Sequence, residues 1–322
     1  MFLGVDGGGT KTAFVLLDRP GRVLATATGG STYYPEVGLA AVREVLASGI
    51  REVLASAGVA AHDIEHAFFG IPAFGEDTAA DAELVRAPEP LLPRERYTCG
   101  NDMVCSWAGA LACADGISVI AGTGSIAYGE YHGGQARAGG WGEVFGDEGS
   151  AYWIAREGLA AFSRMSDGRL PAGPLQAAIR SHFNMASDLD VAGRINGQSS
   201  TERSSIAQLA RLVADAARAG DATARGIYTR AGAELAAIAV AVAARLAVPT
   251  HEALPVSYSG GVFAAGPLVL EPLAAALATS GRGFRLQPPL LPPVLGAAIY
   301  AARRAGVIYS TEQLQLLGRS NQ

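Results

Sequence analysis

The sequence predicts an α/β protein built from two similar domains facing each other, and three observations carry that reading. A unit of strand, glycine turn, strand, turn and strand occurs twice, each time followed by helices and further strands. The 322 residues exceed what one ordinary core organises and fit two domains. Hydrophobic residues make up 49% and charged residues 17%, a balance that fills buried cores and excludes a disordered chain.

The first copy begins with an apolar strand, Phe2 to Val5, then the turn Gly7-Gly8-Gly9 and a second strand, Thr12 to Leu17. Asp18-Arg19-Pro20-Gly21 turns the chain into a third strand, Arg22 to Thr28. A helix runs from near Pro35 to about Ala57 and stops at Gly58. Ile64 to Phe69 reads as a strand, and Tyr97 to Gly100 as a short strand feeding a helix from Met103 to Ala112. The second copy has strands at Ile117–Ala121, Ile126–Tyr131 and Gln135–Ala138, separated by Gly122-Thr123-Gly124-Ser125 and Gly133-Gly134. Helices follow at Ser150–Ala161, Pro171–Phe183, Thr201–Ala219 and Ala222–Ala247, the last capped by Asp221. Val256–Ser259 reads as a buried strand and Pro293–Ala305 as a closing helix. Asn196-Gly197-Gln198-Ser199-Ser200 reads as a surface loop, and there is no flexible Gly/Ser linker. These elements place the domains at 1–113 and 114–295, with the closing segment near 296–322 packing back on the first.

The net charge of -5 argues against a nucleic-acid partner. Cys99, Cys105 and Cys113 form no CxxC pair, which excludes a disulfide framework and a zinc site; Cys105 and Cys113 read as small core residues of one helix. The start, MFLGVDGGG, has neither the basic nor the apolar region of a signal peptide. The longest apolar run, Leu235 to Leu246, is shorter than the roughly 20 residues a membrane span needs and reads as a buried helix. The expectation is a soluble cytoplasmic protein with no membrane partner.

Two glycine turns carry the chemistry. Asp6-Gly7-Gly8-Gly9-Thr10-Lys11-Thr12 lies between two strands, where glycines let the backbone approach a ligand and successive N–H groups form an anion-binding concavity. Thr10 and Thr12 add hydroxyls, and Lys11, the only lysine in the chain, adds a point charge suited to phosphate. Asp6 is placed to hold the Mg²⁺ that accompanies ATP, through water. Gly122, Thr123, Gly124 and Ser125 repeat this logic. Gly122, Gly124 and Ala127 also match a loose dinucleotide fingerprint, with Glu143 about 20 residues on, but a hairpin follows where that fingerprint requires a helix. Gly260 and Gly261 end a buried strand, another place for a nucleotide to lie against backbone. Asn101-Asp102 sits where a strand hands over to a helix. There a carboxylate either accepts the proton of an attacking hydroxyl or caps the helix at Met103. The stretch from Gly139 to Ser150 combines glycines, acids and Trp141, which suits a carbohydrate site; Trp141 also suits a core, and Glu148 or Ser150 a helix cap.

Taken in order, Asp6-Gly-Gly-Gly-Thr-Lys-Thr, Gly122-Thr-Gly-Ser, Gly139-Gly-Trp-Gly through Gly146-Asp-Glu-Gly-Ser-Ala-Tyr-Trp153, and Ser259-Gly-Gly-Val-Phe263 resemble N-acetylglucosamine kinases and bacterial glucosamine kinases. These belong to the BadF/BadG/BcrA/BcrD-type ATPase family of the actin/hexokinase superfamily. The resemblance covers nearly the whole chain. It implies two RNase-H-like domains around a central cleft that closes on sugar, and ATP-dependent phosphorylation of an amino sugar at O6. It implies that Gly8, Gly9, Thr10, Lys11, Thr12 and Gly122–Ser125 hold phosphates and that Gly260 and Gly261 face the adenosine. Asp102 would be the general base; Ser31, Asn101, Thr123, Gly140, Trp141 and Asp147 would line the sugar, with Glu76 meeting an amine. A homodimer is implied as well. Two positions depart from the N-acetylglucosamine kinase pattern, which has Asn soon after a Gly-Ser-Thr turn and Asn directly after Gly-Thr-Gly-Ser. Here Gly30-Ser31-Thr32 runs into Tyr33-Tyr34, and Ile126 takes the second place. Glucosamine, another hexosamine or a muramic-type sugar therefore stays open. The alternatives are an ATPase activator of a radical dehydratase, which bridges an iron–sulfur cluster through cysteines, or a non-catalytic sugar sensor of the same fold.

Overall fold

A computed structural model describes residues 1–196 and 203–319. Strands form where the apolar runs stand: β1 (Phe2–Asp6), β2 (Thr12–Leu17), β3 (Val23–Gly29), β4 (His66–Ile71), β5 (Tyr97–Asn101), β6 (Gly116–Ala121), β7 (Ser125–Tyr131), β8 (Gly134–Gly139), β9 (Leu254–Ser259) and β10 (Phe284–Leu286). They make two five-stranded sheets, ordered β3-β2-β1-β4-β5 and β10-β9-β6-β7-β8. Written from the other edge, the second order repeats the first, so the duplication read from the turns extends to the topology. The fold class is α/β, as expected from the sequence.

The chain divides into two compact units, residues 1–118 with 288–322 and residues 119–287. In the first, β1 pairs antiparallel with β2 and parallel with β4, and β4 pairs parallel with β5. One face of this sheet is covered by the helix Leu39–Ala57. Its Val42, Leu46, Ile50 and Val53 recur at helical spacing and pack into a core with Leu3, Phe14, Phe69 and Tyr97. Truncating Leu46 to Ala would cost about 2–5 kcal/mol. Phe68 belongs to a second aromatic group, meeting Tyr300 edge-on at 4.7 Å, while Trp107 lies 6.2 Å from the same ring. Tyr300 belongs to the helix Pro293–Arg304, which packs on β1 and on the helix Met103–Leu111. Residues 288–295 group with this unit because Leu290 and Leu291 donate to the carbonyls of Ala110 and Gly109.

In the second unit the helix Ala222–Arg245 packs on β7 and on the helix Pro267–Thr279. It starts at Asp221, whose carboxylate accepts from Ala224 N–H, the cap read from sequence, and also from Leu175 N–H. Among the described residues this is the one helix long and apolar enough to cross a membrane. Half of its most apolar window is buried inside the unit.

Several elements differ from the expectation. The first long helix is broken at Gly38 (φ +79) into Tyr34–Val37 and Leu39–Ala57. The helix expected at 201–219 begins at Arg203 among the described residues and divides at Leu209. Asn196 closes a helix, Asp190–Asn196, and the remainder of the expected loop, 197–200, lies outside the described residues, as do 201–202. The helices Thr78–Arg86 and Thr311–Arg319 and the strand β10 are additional. Cys105 is buried in the helix Met103–Leu111 but Cys113 lies beyond its end, with a left-handed backbone.

Candidate active site

In the first unit, register sets the site. Asp6 ends β1 and pairs with Gly70 of β4, and Gly70 pairs with Gly100 of β5, so Asp6 and Asn101-Asp102 stand together at the carboxyl ends of three adjacent parallel strands. Open α/β sheets bind ligands at such ends. Gly70 makes this possible: a Cβ there would strike Cys105 Sγ and come 3.2 Å from the Cα of Asp102.

Asp102 occupies the N-cap position of the helix Met103–Leu111 but makes no capping hydrogen bond. Asn101 does that work instead, accepting from Met103 N–H at 3.1 Å through Oδ1 while its amide donates to Phe74 O at 3.0 Å. Asn101 is thus a buried strap with its side chain committed to protein, and of the two readings of Asp102 the structure disfavours the cap. Burial pushes the Asp102 carboxyl up to about 6, opposed by backbone N–H groups at the helix start and aided by Glu76. Asp6 is pushed further, to about 8, by burial and then by Asp102, with Lys11 and the Cys105 thiol pulling down. Two half-buried carboxylates that repel each other form a place where a cation is favoured. Among the described residues no group of three or more His, Cys, Asp or Glu side chains could hold a metal alone. Mg²⁺ nevertheless commonly binds through one or two carboxylates and substrate phosphates, which Asp6 fits.

The first glycine loop is held from below. Gly7 N–H donates to Gly70 O at 2.8 Å, and Gly8 O accepts from Thr32 N–H and from the Ser31 hydroxyl, each at 3.2 Å. Thr12, expected at the phosphate, is fully buried. Its hydroxyl donates to Gly30 O at 2.8 Å and approaches Thr32 Oγ1 at 3.1 Å, so it ties β2 to the loop after β3. Gly9, Thr10 and Lys11 form the exposed rim, and a Cβ on Gly9 would meet no protein atom within 4 Å. The protein's own packing does not require glycine there; a ligand lying on the backbone would. Ser31 is likewise engaged with the loop, and Glu76 is exposed.

In the second unit, Gly122 O and Thr123 O accept from Ala151 and Tyr152 N–H at the start of the helix Ala151–Ser166. Ser150 caps that helix through Trp153 N–H, as one of the sequence alternatives had it. Ser125 is buried and its hydroxyl donates to Glu148 O at 2.7 Å, so it too braces the loop. Thr123 is exposed, and a Cβ on Gly122 or Gly261 would meet nothing within 4 Å. Gly260, in contrast, is pressed against the Ala121–Gly122 backbone with φ +104.

Asp147 is 2% exposed and holds a left-handed backbone (φ +58), a conformation that costs a non-glycine residue about 1–3 kcal/mol. Its carboxylate accepts from Ser125 N–H at 3.3 Å and from the Arg203 guanidinium. Burial raises its pKa and Arg203 opposes that. Trp141 is 67% exposed, so it is not a core residue. Gly140 N–H donates to Ser125 O, and the Cβ position of Gly140 lies 2.8 Å from Cδ1 of Ile126, which therefore lines the same loop. Sequence reading missed Arg203, one arginine among many with no motif around it, and the close approach at Gly70.

The model of the BadF/BadG/BcrA/BcrD ATPase family matches residues 3–301. The chain is 26% identical over 310 residues to the N-acetyl-D-glucosamine kinase of Dictyostelium discoideum, spanning 94% of this chain and 97% of that one. It is 31% identical over 238 residues to the N-acetylmuramic acid/N-acetylglucosamine kinase of Clostridium acetobutylicum, 72% and 76% of the two chains. Among solved structures, a Chromobacterium violaceum protein provisionally named an N-acetylglucosamine kinase aligns with TM-score 0.73 and 28% identity over 92% of this chain and 97% of that one. A ROK family glucokinase from Streptomyces griseus aligns with TM-score 0.55 at 17% identity, over 94% and 99%, a likeness of fold. The fold is that of the actin/hexokinase-type sugar kinases.

Proposed function

The chain belongs to the BadF/BadG/BcrA/BcrD ATPase family, and from that premise we propose that it is an ATP-dependent kinase of an amino sugar, transferring the γ-phosphoryl group to O6 of a hexosamine. The observation that carries the reading is Asp102: a carboxylate at a helix start that caps nothing, beside Asp6, with a pKa raised to about 6. A base in that range is ionised at neutral pH yet basic enough to accept a hydroxyl proton. The kinase relatives in Dictyostelium and Clostridium support the same class.

In this account the sugar hydroxyl loses its proton to Asp102 as its oxygen bonds to the γ-phosphorus, and the bond from that phosphorus to the bridging oxygen breaks, leaving ADP. From the first unit, backbone around Gly8–Thr10 and the Lys11 ammonium meet phosphate oxygens. The likeness to the kinase relatives supports a phosphate role for Gly122–Gly124, a nucleoside role for Gly261 and a sugar role for Trp141 and Asp147. Thr12, Ser125 and Asn101 act one step back, by fixing the loops that do the binding. Mg²⁺, held through Asp6, would neutralise charge on the phosphates. Homodimerisation and a cytoplasmic location belong to the same proposal.

The test is ADP release from MgATP across glucosamine, N-acetylglucosamine, N-acetylmuramic acid, N-acetylmannosamine and glucose. The reading expects one hexosamine with kcat/KM well above the others. Release no faster with any sugar than without would sink it and bring the activator or sensor alternatives forward.

A further inference from the structure

Arg203 stands between Asp147 and the second glycine loop. Its Nη2 is paired with the buried carboxylate of Asp147, and Nε lies 3.2 Å from Glu143 Oε2 without making a hydrogen bond. The same Nη2 passes so close to the glycine loop that a Cβ on Gly124 would sit 2.5 Å from it and 2.8 Å from Asp147 Oδ2. Asp147 is joined to that loop a second time, through Ser125 N–H. A guanidinium offers five N–H donors in a rigid fork suited to phosphate as well as carboxylate, and among the described residues the Nε of this fork has no hydrogen-bond partner.

Phosphate over Gly122–Ser125 would come close to the Asp147 carboxylate, and two like charges so close repel unless a cation lies between them. Arg203 is that cation. Resting on the kinase reading above, we propose that Arg203 is a positioning residue that couples the two substrates: its fork is shared between Asp147 and the nucleotide's phosphate oxygens. Bound nucleotide thereby fixes Asp147 in the orientation that receives a sugar hydroxyl. A sugar hydroxyl on Asp147 in turn leaves more of the fork for phosphate, as reciprocity of coupling requires.

Calorimetric titration of the full chain decides this, with N-acetylglucosamine and glucosamine as sugar probes and Mg²⁺ with a non-hydrolysable ATP analogue as nucleotide probe. In the wild type, the analogue tightens sugar binding at least about fivefold, the lower end of ordinary coupling. In Arg203→Gln that ratio falls to near one, and Arg203→Lys restores part of it. A merely structural role would weaken both ligands and lower Tm while leaving the ratio unchanged, and that result overturns the proposal, as does a wild type without coupling. If Arg203→Gln does not fold, Arg203→Lys decides alone: it keeps the charge and loses the fork, so an unchanged ratio overturns. Failure of the kinase reading looks different, since the wild type then shows no sugar-stimulated ADP release at all.

Discussion

Replacing Asp102 by Asn should move stability and activity in opposite directions. The carboxyl is raised from 3.8 to about 6, and roughly 1.4 kcal/mol per pKa unit gives about 3 kcal/mol of penalty on its charged form. Partial exposure and coupling to Asp6 discount this to about 1–2 kcal/mol. The sign follows from linkage: the folded state holds the proton more tightly, so stability falls as pH rises from about 4 through about 6, and the penalty is complete at pH 8. Asn removes it and relieves Asp6 of its nearest like charge. At about 2–4 °C per kcal/mol, D102N should melt about 2–8 °C above the wild type at pH 8 and level with it near pH 3. Meanwhile kcat should drop about 10²–10⁴-fold, the usual range for loss of a general base, with sugar affinity largely kept. Thermal melts at pH 3 and 8 and steady-state ADP release measure both. Near-normal turnover would remove Asp102 from the role. Activity lost together with a lower Tm at pH 8 would make it a structural residue, contrary to the missing cap bond.

Other outcomes follow from the same geometry. The wild-type kcat/KM should fall on the acid side through pH about 6, and a flat profile between pH 5 and 8 would contradict a base of that pKa. Lys11 is the only lysine, so an amine-acylating reagent should modify it and the N-terminus alone; MgATP should protect Lys11, read by peptide mass spectrometry, and equal labelling with and without nucleotide would exclude it from the phosphate site. Ile126→Asn should shift selectivity toward N-acetylated sugar by about 3–10-fold, the worth of one neutral hydrogen bond, and unchanged relative kcat/KM values would show that this position does not read the sugar. Thr12→Val strands Gly30 O and Thr32 Oγ1 and should cost about 1–3 kcal/mol of stability in denaturant melts with a modest rise in KM for ATP; KM rising sharply without loss of stability would place Thr12 at the phosphate.

Much of this site is legible in the sequence because glycine turns advertise themselves. Gly7–Gly9 and Gly122–Gly124 stand between apolar strands, and the duplicated plan gives both sheets. Which hydroxyl in a turn faces out is not legible. Thr12 and Ser125 sit first in β2 and β7, where the pleat turns one side chain inward, and both ended buried. Asn101 and Asp102 look interchangeable on spacing, and only the hydrogen bonds separate the strap from the carboxylate without a cap. The helix Thr78–Arg86 carried one signal, Asp77, whose carboxylate accepts from Ala79 and Ala80 N–H. It buries only Ala80 and Leu84, too little for an apolar stripe to show. β10 is three residues long, and its identity as a strand lies in pairing with β9 rather than in its own composition. Arg203 meets Asp147 from 56 residues away, a contact that no local pattern encodes.

The central claim is transfer of a phosphoryl group to a sugar rather than to water. Incubation with MgATP and the hexosamine preferred in the panel, with ADP and sugar phosphate quantified in the same sample, tests it directly. One sugar phosphate, modified at O6, should form for each ADP released. ADP accumulating without sugar phosphate would contradict it and identify an ATPase.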